Sequence, residues 1–137
     1  MLDALKQRCA GLPVLVVEDE PINLEICRFM LEDAGLVVDV AGDGLEALDL
    51  IESHRYALIM MDMQMPRMNG LDATRAIRAL EGWEQIPIIA TTANAFEHDR
   101  QVCLDAGMSD HLPKPITPET LYAMLCKWLT PKPEAVA

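Results

Sequence analysis

Short apolar runs recur along the chain, and the first is PVLVVED at 13–19. It is rich in β-branched residues and does not alternate with polar ones, the pattern of a strand buried on both faces. YALIMMD (56–62) and IPIIATT (86–92) repeat the pattern, LVVDVA (36–41) is a shorter strand, and DHLPKP (110–115) contains a short fifth. Between these runs the spacing becomes helical. Pro21 opens a first helix, where its missing N–H costs nothing, and Gly35 stops it. Asp43 and Glu46 have capping-box spacing for a second, carrying Leu45, Leu48 and Ile51. A third follows Asn69-Gly70, with Leu71, Thr74, Ile77 and Leu80 on one side, and a fourth runs from about 94 to 107. Thr117 caps the last, with Pro118 at its first position and Leu121, Met124, Leu125 and Trp128 as its core stripe. Five strands alternating with five helices specify an α/β fold: a parallel, doubly wound sheet covered on both faces.

Composition narrows the function classes. The 137 residues suit one domain, and 51% of them are hydrophobic, so disorder is excluded as the default. The formal net charge of −11 disfavours nucleic acid and anionic membranes and suits divalent cations or basic partner surfaces. The apolar runs are far shorter than a membrane span, and MLDALKQRCAGLP has no signal-peptide core. Cys9, Cys27, Cys103 and Cys126 form no CxxC pair and no zinc spacing, which points to a reducing, cytoplasmic setting. His54 and His98 are expected to face solvent from helices. Residues 1–12 read as a linker or stub, 13–130 as the domain, and 131–137 as a loose tail.

Ligands of such sheets bind beyond the carboxyl ends of the strands. The first strand ends in Glu18-Asp19, the third in Asp62, the fourth in Thr91-Thr92 and the fifth in Lys114-Pro115. Carboxylates gathered at one rim repel unless a cation neutralises them, and an all-oxygen site with room for water suits Mg²⁺. Acids, a hydroxyl and an ammonium on one rim suit phosphoryl transfer to a carboxylate.

VLVVEDEPIN, LIMMDMQMPRMNG, IPIIATTANA and DHLPKPI, spread over 14–128, resemble the response-regulator receiver (CheY-like) family of two-component signalling, most closely the receivers of hybrid sensor histidine kinases. The resemblance implies strand order 2-1-3-4-5. It implies Asp62 as phosphoacceptor from phosphohistidine, and Asp19, Glu18, Asp62 and the backbone carbonyl of Gln64 as the Mg²⁺ shell, with Mn²⁺ as an alternative ion. It also implies Thr92 and Lys114 as phosphoryl-binding groups, with a cis Lys114–Pro115 bond that aims the lysine inward. The partner is then a histidine kinase or histidine phosphotransfer domain. The domain is a monomer or weak dimer in the phosphorelay, with neither nucleic acid nor direct membrane contact. It is no stand-alone enzyme beyond Mg-dependent self-phosphorylation and autodephosphorylation. The chain is expected to be cut from a larger hybrid kinase, including one anchored in a membrane. Two positions depart from the family: Glu18, where Asp is more frequent, and His111, where an aromatic switch residue is usual and where an imidazole introduces pH sensitivity.

Three rivals share parts of this pattern. A flavodoxin-type phosphate loop is opposed by Glu-Asp-Glu-Pro after the first strand. A dehalogenase-type phosphatase needs a second acid where Gln64 stands. A receiver that no longer accepts phosphate is opposed by the intact set of Asp19, Asp62, Thr92 and Lys114. The first helix also carries two apolar stripes, Ile22, Ile26, Phe29 and Met30 beside Leu24, Cys27 and Leu31. One core cannot hide both completely, and the family resemblance implies that what stays exposed is a docking patch for a histidine-containing partner.

Overall fold

The computed structural model describes residues 10–63, 70–92, 101–102, 104–113 and 116–129. Their strands are β1 (Pro13–Val17), β2 (Val37–Ala41), β3 (Leu58–Asp62), β4 (Ile88–Thr92) and β5 (Asp110–Pro113). Their helices are α1 (Pro21–Asp33), α2 (Gly44–Ser53), α3 (Gly70–Arg78) and α4 (Pro118–Leu129). The helix expected over 94–107 falls largely outside the described residues; its residues 101, 102, 104 and 105 are helical. All strand pairings are parallel, in the order β2-β1-β3-β4-β5. The order reverses between β1 and β3, which makes that crevice the switch point.

Strict alternation of side chains divides the core in two. On one face Val14, Val16, Leu58, Met60 and Ile89 pack with Met30 and Leu31 of α1 and Leu121 and Leu125 of α4. On the other, Leu15, Val17, Ile59, Met61 and Ile88 pack with Ala47 and Ile51 of α2 and Ala73 and Ile77 of α3. Both central strands β3 and β4 are buried along their whole length.

Strand limits are tighter than the apolar runs. β1 ends at Val17, although the Glu18 N–H still donates to the Ala41 carbonyl at 3.0 Å. Glu18 and Asp19 therefore lie in the turn after the strand. β4 starts at Ile88, because Pro87 offers only its carbonyl, which accepts from Ile59 at 2.9 Å. The helix ends follow the expected chemistry. Gly35 adopts φ 95°, and its N–H reaches the Glu32 carbonyl at 2.9 Å. Asp43 accepts from the Glu46 N–H at 2.9 Å while Glu46 accepts from Gly42 at 3.0 Å. Thr117 and Thr120 cap each other's amides, both at 3.2 Å.

The buried face of α3 differs from the expected one. Gly70, Ala73, Thr74 and Ile77 are buried, Leu71 is half-buried and Leu80 is exposed. The small residues let the helix sit close to the sheet. The helix then ends at Arg78, whose guanidinium donates to the carbonyls of Gly107, Trp83 and Ile86 at 2.7–2.8 Å. Leu80 is left in the turn that follows. No described helix is long and apolar enough to cross a membrane.

Candidate metal and phosphoryl site

Parallel register places the acids. Val17 pairs with Met61, so the next residues, Glu18 and Asp62, fall side by side on the same face of neighbouring strand ends. Glu18, Asp19 and Asp62 each offer a carboxylate oxygen, and these oxygens lie within 4.8 Å of one another. Glu18 and Asp62 are buried, 3% and 5% exposed, and Asp19 faces solvent. Two unit charges at that separation repel by about 3 kcal/mol at an effective dielectric of ~20. Buried carboxylate pairs of this kind fit a hard divalent cation, with the exposed side open to water ligands.

The loop beyond β3 returns immediately. The Met63 N–H donates to Thr91 at 3.2 Å, and Gly70, the first residue of α3, donates to the Met63 carbonyl at 3.1 Å. A Cβ at Gly70 would lie far inside van der Waals contact with the Asp62 carbonyl oxygen and 3.1 Å from its carbonyl carbon and from Met61 Cγ. Only glycine lets the helix start this close to the acid. Nothing in the spacing distinguished Gly70 from an ordinary turn glycine after asparagine.

Thr92 ends β4 and is buried. Its neighbour Thr91 is the residue in register with Asp62. His111 pairs with Ala90 across β4–β5, and both its ring nitrogens are buried with no hydrogen-bond partner among the described residues. Gln64 and Lys114 lie outside the described residues, as do Pro115, Asn94, His98, Cys9 and Cys103. His54 is exposed at the C-cap of α2. Cys27 is buried and Cys126 half-buried.

Beside His111, Asp110 anchors β5 to α4. Its carboxylate accepts from Lys127 Nζ at 2.9 Å, Trp128 Nε1 at 3.1 Å and the His111 N–H at 2.8 Å. Burial works to raise its pKa, but these donors together hold it below the usual carboxylate range. Asp110 therefore adds stability above the unfolded-state value, near 4, and loses it as pH falls through the folded value. In urea titrations the stability gap between wild type and Asp110→Asn is expected to be largest near pH ~6 and to close toward pH ~2. A gap constant over that range refutes the linkage.

On α1 the two stripes separate except at Met30, which is buried with Cys27 and Leu31 instead of lying exposed beside Ile26 and Phe29. Cys27, Met30 and Leu31 are buried, whereas Ile22 and Phe29 are 68% and 72% exposed and Ile26 is exposed between them. With Pro21, Glu25 and Met30 they line a shallow apolar depression of about 500 Å³.

A doubly wound parallel sheet with three converging carboxylates at its switch point defines a class of α/β domains that can hold a hard cation there. Residues 14–126 match the response regulator receiver domain, and the chain belongs to that family. It is 41% identical over 128 residues to hybrid signal transduction histidine kinase B of Dictyostelium discoideum, covering 85% of this chain but 6% of that protein. The receiver domain of sensor histidine kinase PA1611 from Pseudomonas aeruginosa, solved with magnesium coordinated in its active-site cleft, is 43% identical with a TM-score of 0.83. That match covers 89% of this chain and all of the other. A chain from the co-crystal of the yeast histidine phosphotransfer protein Ypd1 with the receiver domain of its downstream response regulator Ssk1 is 28% identical. Its TM-score is 0.82, over 88% of this chain and 90% of the other.

Proposed function

We propose that this domain takes a phosphoryl group from a phosphohistidine partner onto Asp62 and passes the signal on by changing conformation. The observation that carries the reading is the convergence of Glu18, Asp19 and Asp62 within 4.8 Å at the switch point. Asp62 is the nucleophile. One of its carboxylate oxygens forms a P–O bond as the P–N bond of the phosphoimidazole breaks and leaves its electron pair on nitrogen. Glu18 and Asp19, with Asp62 and the Gln64 backbone carbonyl, would hold Mg²⁺, or Mn²⁺ in its place. When bound, that ion neutralises charge that builds on the phosphoryl oxygens. The magnesium held by the related PA1611 receiver supports this assignment. Thr92 donates its hydroxyl to the phosphoryl group and Lys114 its ammonium, and His111 occupies the switch position. The chain acts in the cytoplasm, inside a hybrid kinase or beside one.

The partner is a histidine kinase or histidine phosphotransfer domain, and the exposed stripe of α1 is where it docks. The Ypd1–Ssk1 complex supports a partner of this kind for a related receiver. The reading is tested by incubation with acetyl phosphate and with phosphorylated histidine phosphotransfer domains. One phosphoryl group per chain, gained with Mg²⁺ present and not gained when chelator is added beforehand, is expected; no gain from either donor refutes it. Phe29→Asp places a charge in the α1 patch and is expected to slow transfer from the protein donor about tenfold or more. Labelling by acetyl phosphate should stay unchanged. Equal rates from the protein donor in wild type and variant place the docking surface elsewhere.

A further inference from the structure

Three acids follow β1 in succession, Glu18, Asp19 and Glu20, and by composition all three could serve a cation. The structure divides them. Glu18 and Asp19 converge with Asp62, whereas the Glu20 side chain turns to the start of α1. Its Oε1 accepts from the Ile22 N–H at 3.3 Å and its Oε2 from the Asn23 N–H at 2.9 Å. Pro21 has no N–H to donate, so these are the amides of the first turn that need an acceptor. The backbone of the same residue faces the other way in function: its N–H donates to Glu18 Oε2 at 3.3 Å. One residue thus holds a carboxylate of the acid cluster at its backbone and the first turn of the exposed apolar helix at its side chain. Ile22, the first exposed residue of that apolar stripe, is one of the amides it fixes.

We propose that Glu20 is a positioning residue for the protein phosphodonor, aligning the α1 docking face with the acid pocket without serving as a cation ligand. The proposal rests on the phosphoacceptor reading above. Glu is not a preferred N-cap; Ser, Asp and Asn are better local choices. Its longer side chain spans both amides, and its charge complements the positive end of the helix. A docking surface held in place before encounter loses less freedom on binding, so the benefit belongs to partner affinity and not to the chemistry at Asp62.

Glu20→Ala removes both acceptors, and Glu20→Gln removes the charge while keeping one acceptor oxygen. Three quantities separate the roles: labelling by acetyl phosphate, the KM and kcat for a panel of phosphorylated histidine phosphotransfer domains that includes Ypd1, and Mg²⁺ affinity. Glu20→Ala should raise the KM for the protein donor about fivefold with kcat and acetyl phosphate labelling unchanged. Glu20→Gln should return the KM to within about twofold of wild type. Without magnesium, hydrogen exchange should rise at both the Ile22 and Asn23 amides in Glu20→Ala and at only one of them in Glu20→Gln. An unchanged KM in Glu20→Ala overturns the proposal, as does an equal loss with both donors. A tenfold or greater loss of Mg²⁺ affinity in Glu20→Gln, as for a lost ligand, also overturns it. Wild-type protein labelled by acetyl phosphate but by none of the protein donors defeats the docking part of the reading and this proposal with it. Wild type labelled by neither defeats the phosphoacceptor reading itself.

Discussion

Asp62→Asn is expected to reduce phosphoryl labelling to background, a loss of roughly a thousandfold or more, because the amide that replaces the carboxylate is not a competent nucleophile. The same change should make the magnesium-free protein more stable. Asp62 is buried within 4.8 Å of two other carboxylate oxygens, and asparagine keeps its shape and one acceptor while removing its charge. The repulsion relieved is about 3 kcal/mol at an effective dielectric of ~20, and solvent around the exposed Asp19 reduces the measurable gain to the order of 1 kcal/mol. Added Mg²⁺ should then stabilise wild type more than the variant, because a ligand raises stability by its affinity for the folded state. Urea unfolding with and without Mg²⁺, beside mass spectrometry of the labelled protein, reads both effects. Full labelling of Asp62→Asn places the acceptor at another residue. A variant less stable than wild type without magnesium removes the electrostatic account.

Gly70→Ala is the second large effect. The added methyl would collide with the Asp62 backbone carbonyl, and neither β3 nor the start of α3 is a flexible side-chain end that can swing away. The backbone must shift, at a cost of about 2–4 kcal/mol. Because the displaced carbonyl belongs to the proposed acceptor residue, phosphorylation should fall about a hundredfold even where circular dichroism reports a folded protein. Gly82 supplies the comparison. It has φ 91°, and a Cβ there would meet the Arg55 guanidinium, a mobile group far along a long side chain. Gly82→Ala should cost only about 1 kcal/mol of backbone strain and leave labelling intact. Equal labelling of the two variants would show that Gly70 does not position the acid.

Much of this architecture is legible from spacing. The non-alternating runs mark strands covered on both sides, and Pro21, Gly35, Asp43 and Thr117 mark helix ends by chemistry that tertiary structure does not override. The convergence of Glu18, Asp19 and Asp62 is legible too, because a parallel sheet brings the carboxyl ends of neighbouring strands to one rim. What escapes spacing is the direction of each side chain. Glu20 has the same composition as its neighbours but spends its oxygens on α1. Apolar period alone places Leu80 in the α3 stripe, but the helix ends at Arg78, whose three carbonyl partners lie five, eight and twenty-nine residues away in sequence. Gly70 is informative only once the Asp62 carbonyl stands beside it. The isolation of the His111 ring nitrogens is likewise a property of packing.

Asp62 ends a strand walled in by β1 and β4 and buried at every position, which leaves it little room to yield. β5 has a single neighbouring strand, and its Asp110 is tethered to Lys127 at the surface. A charge added at the middle meets stiff surroundings, so the deformation it drives is expected to spread to the edge strands β2 and β5, each held by a single neighbouring strand. Chemistry at the hub would thus be read at the periphery.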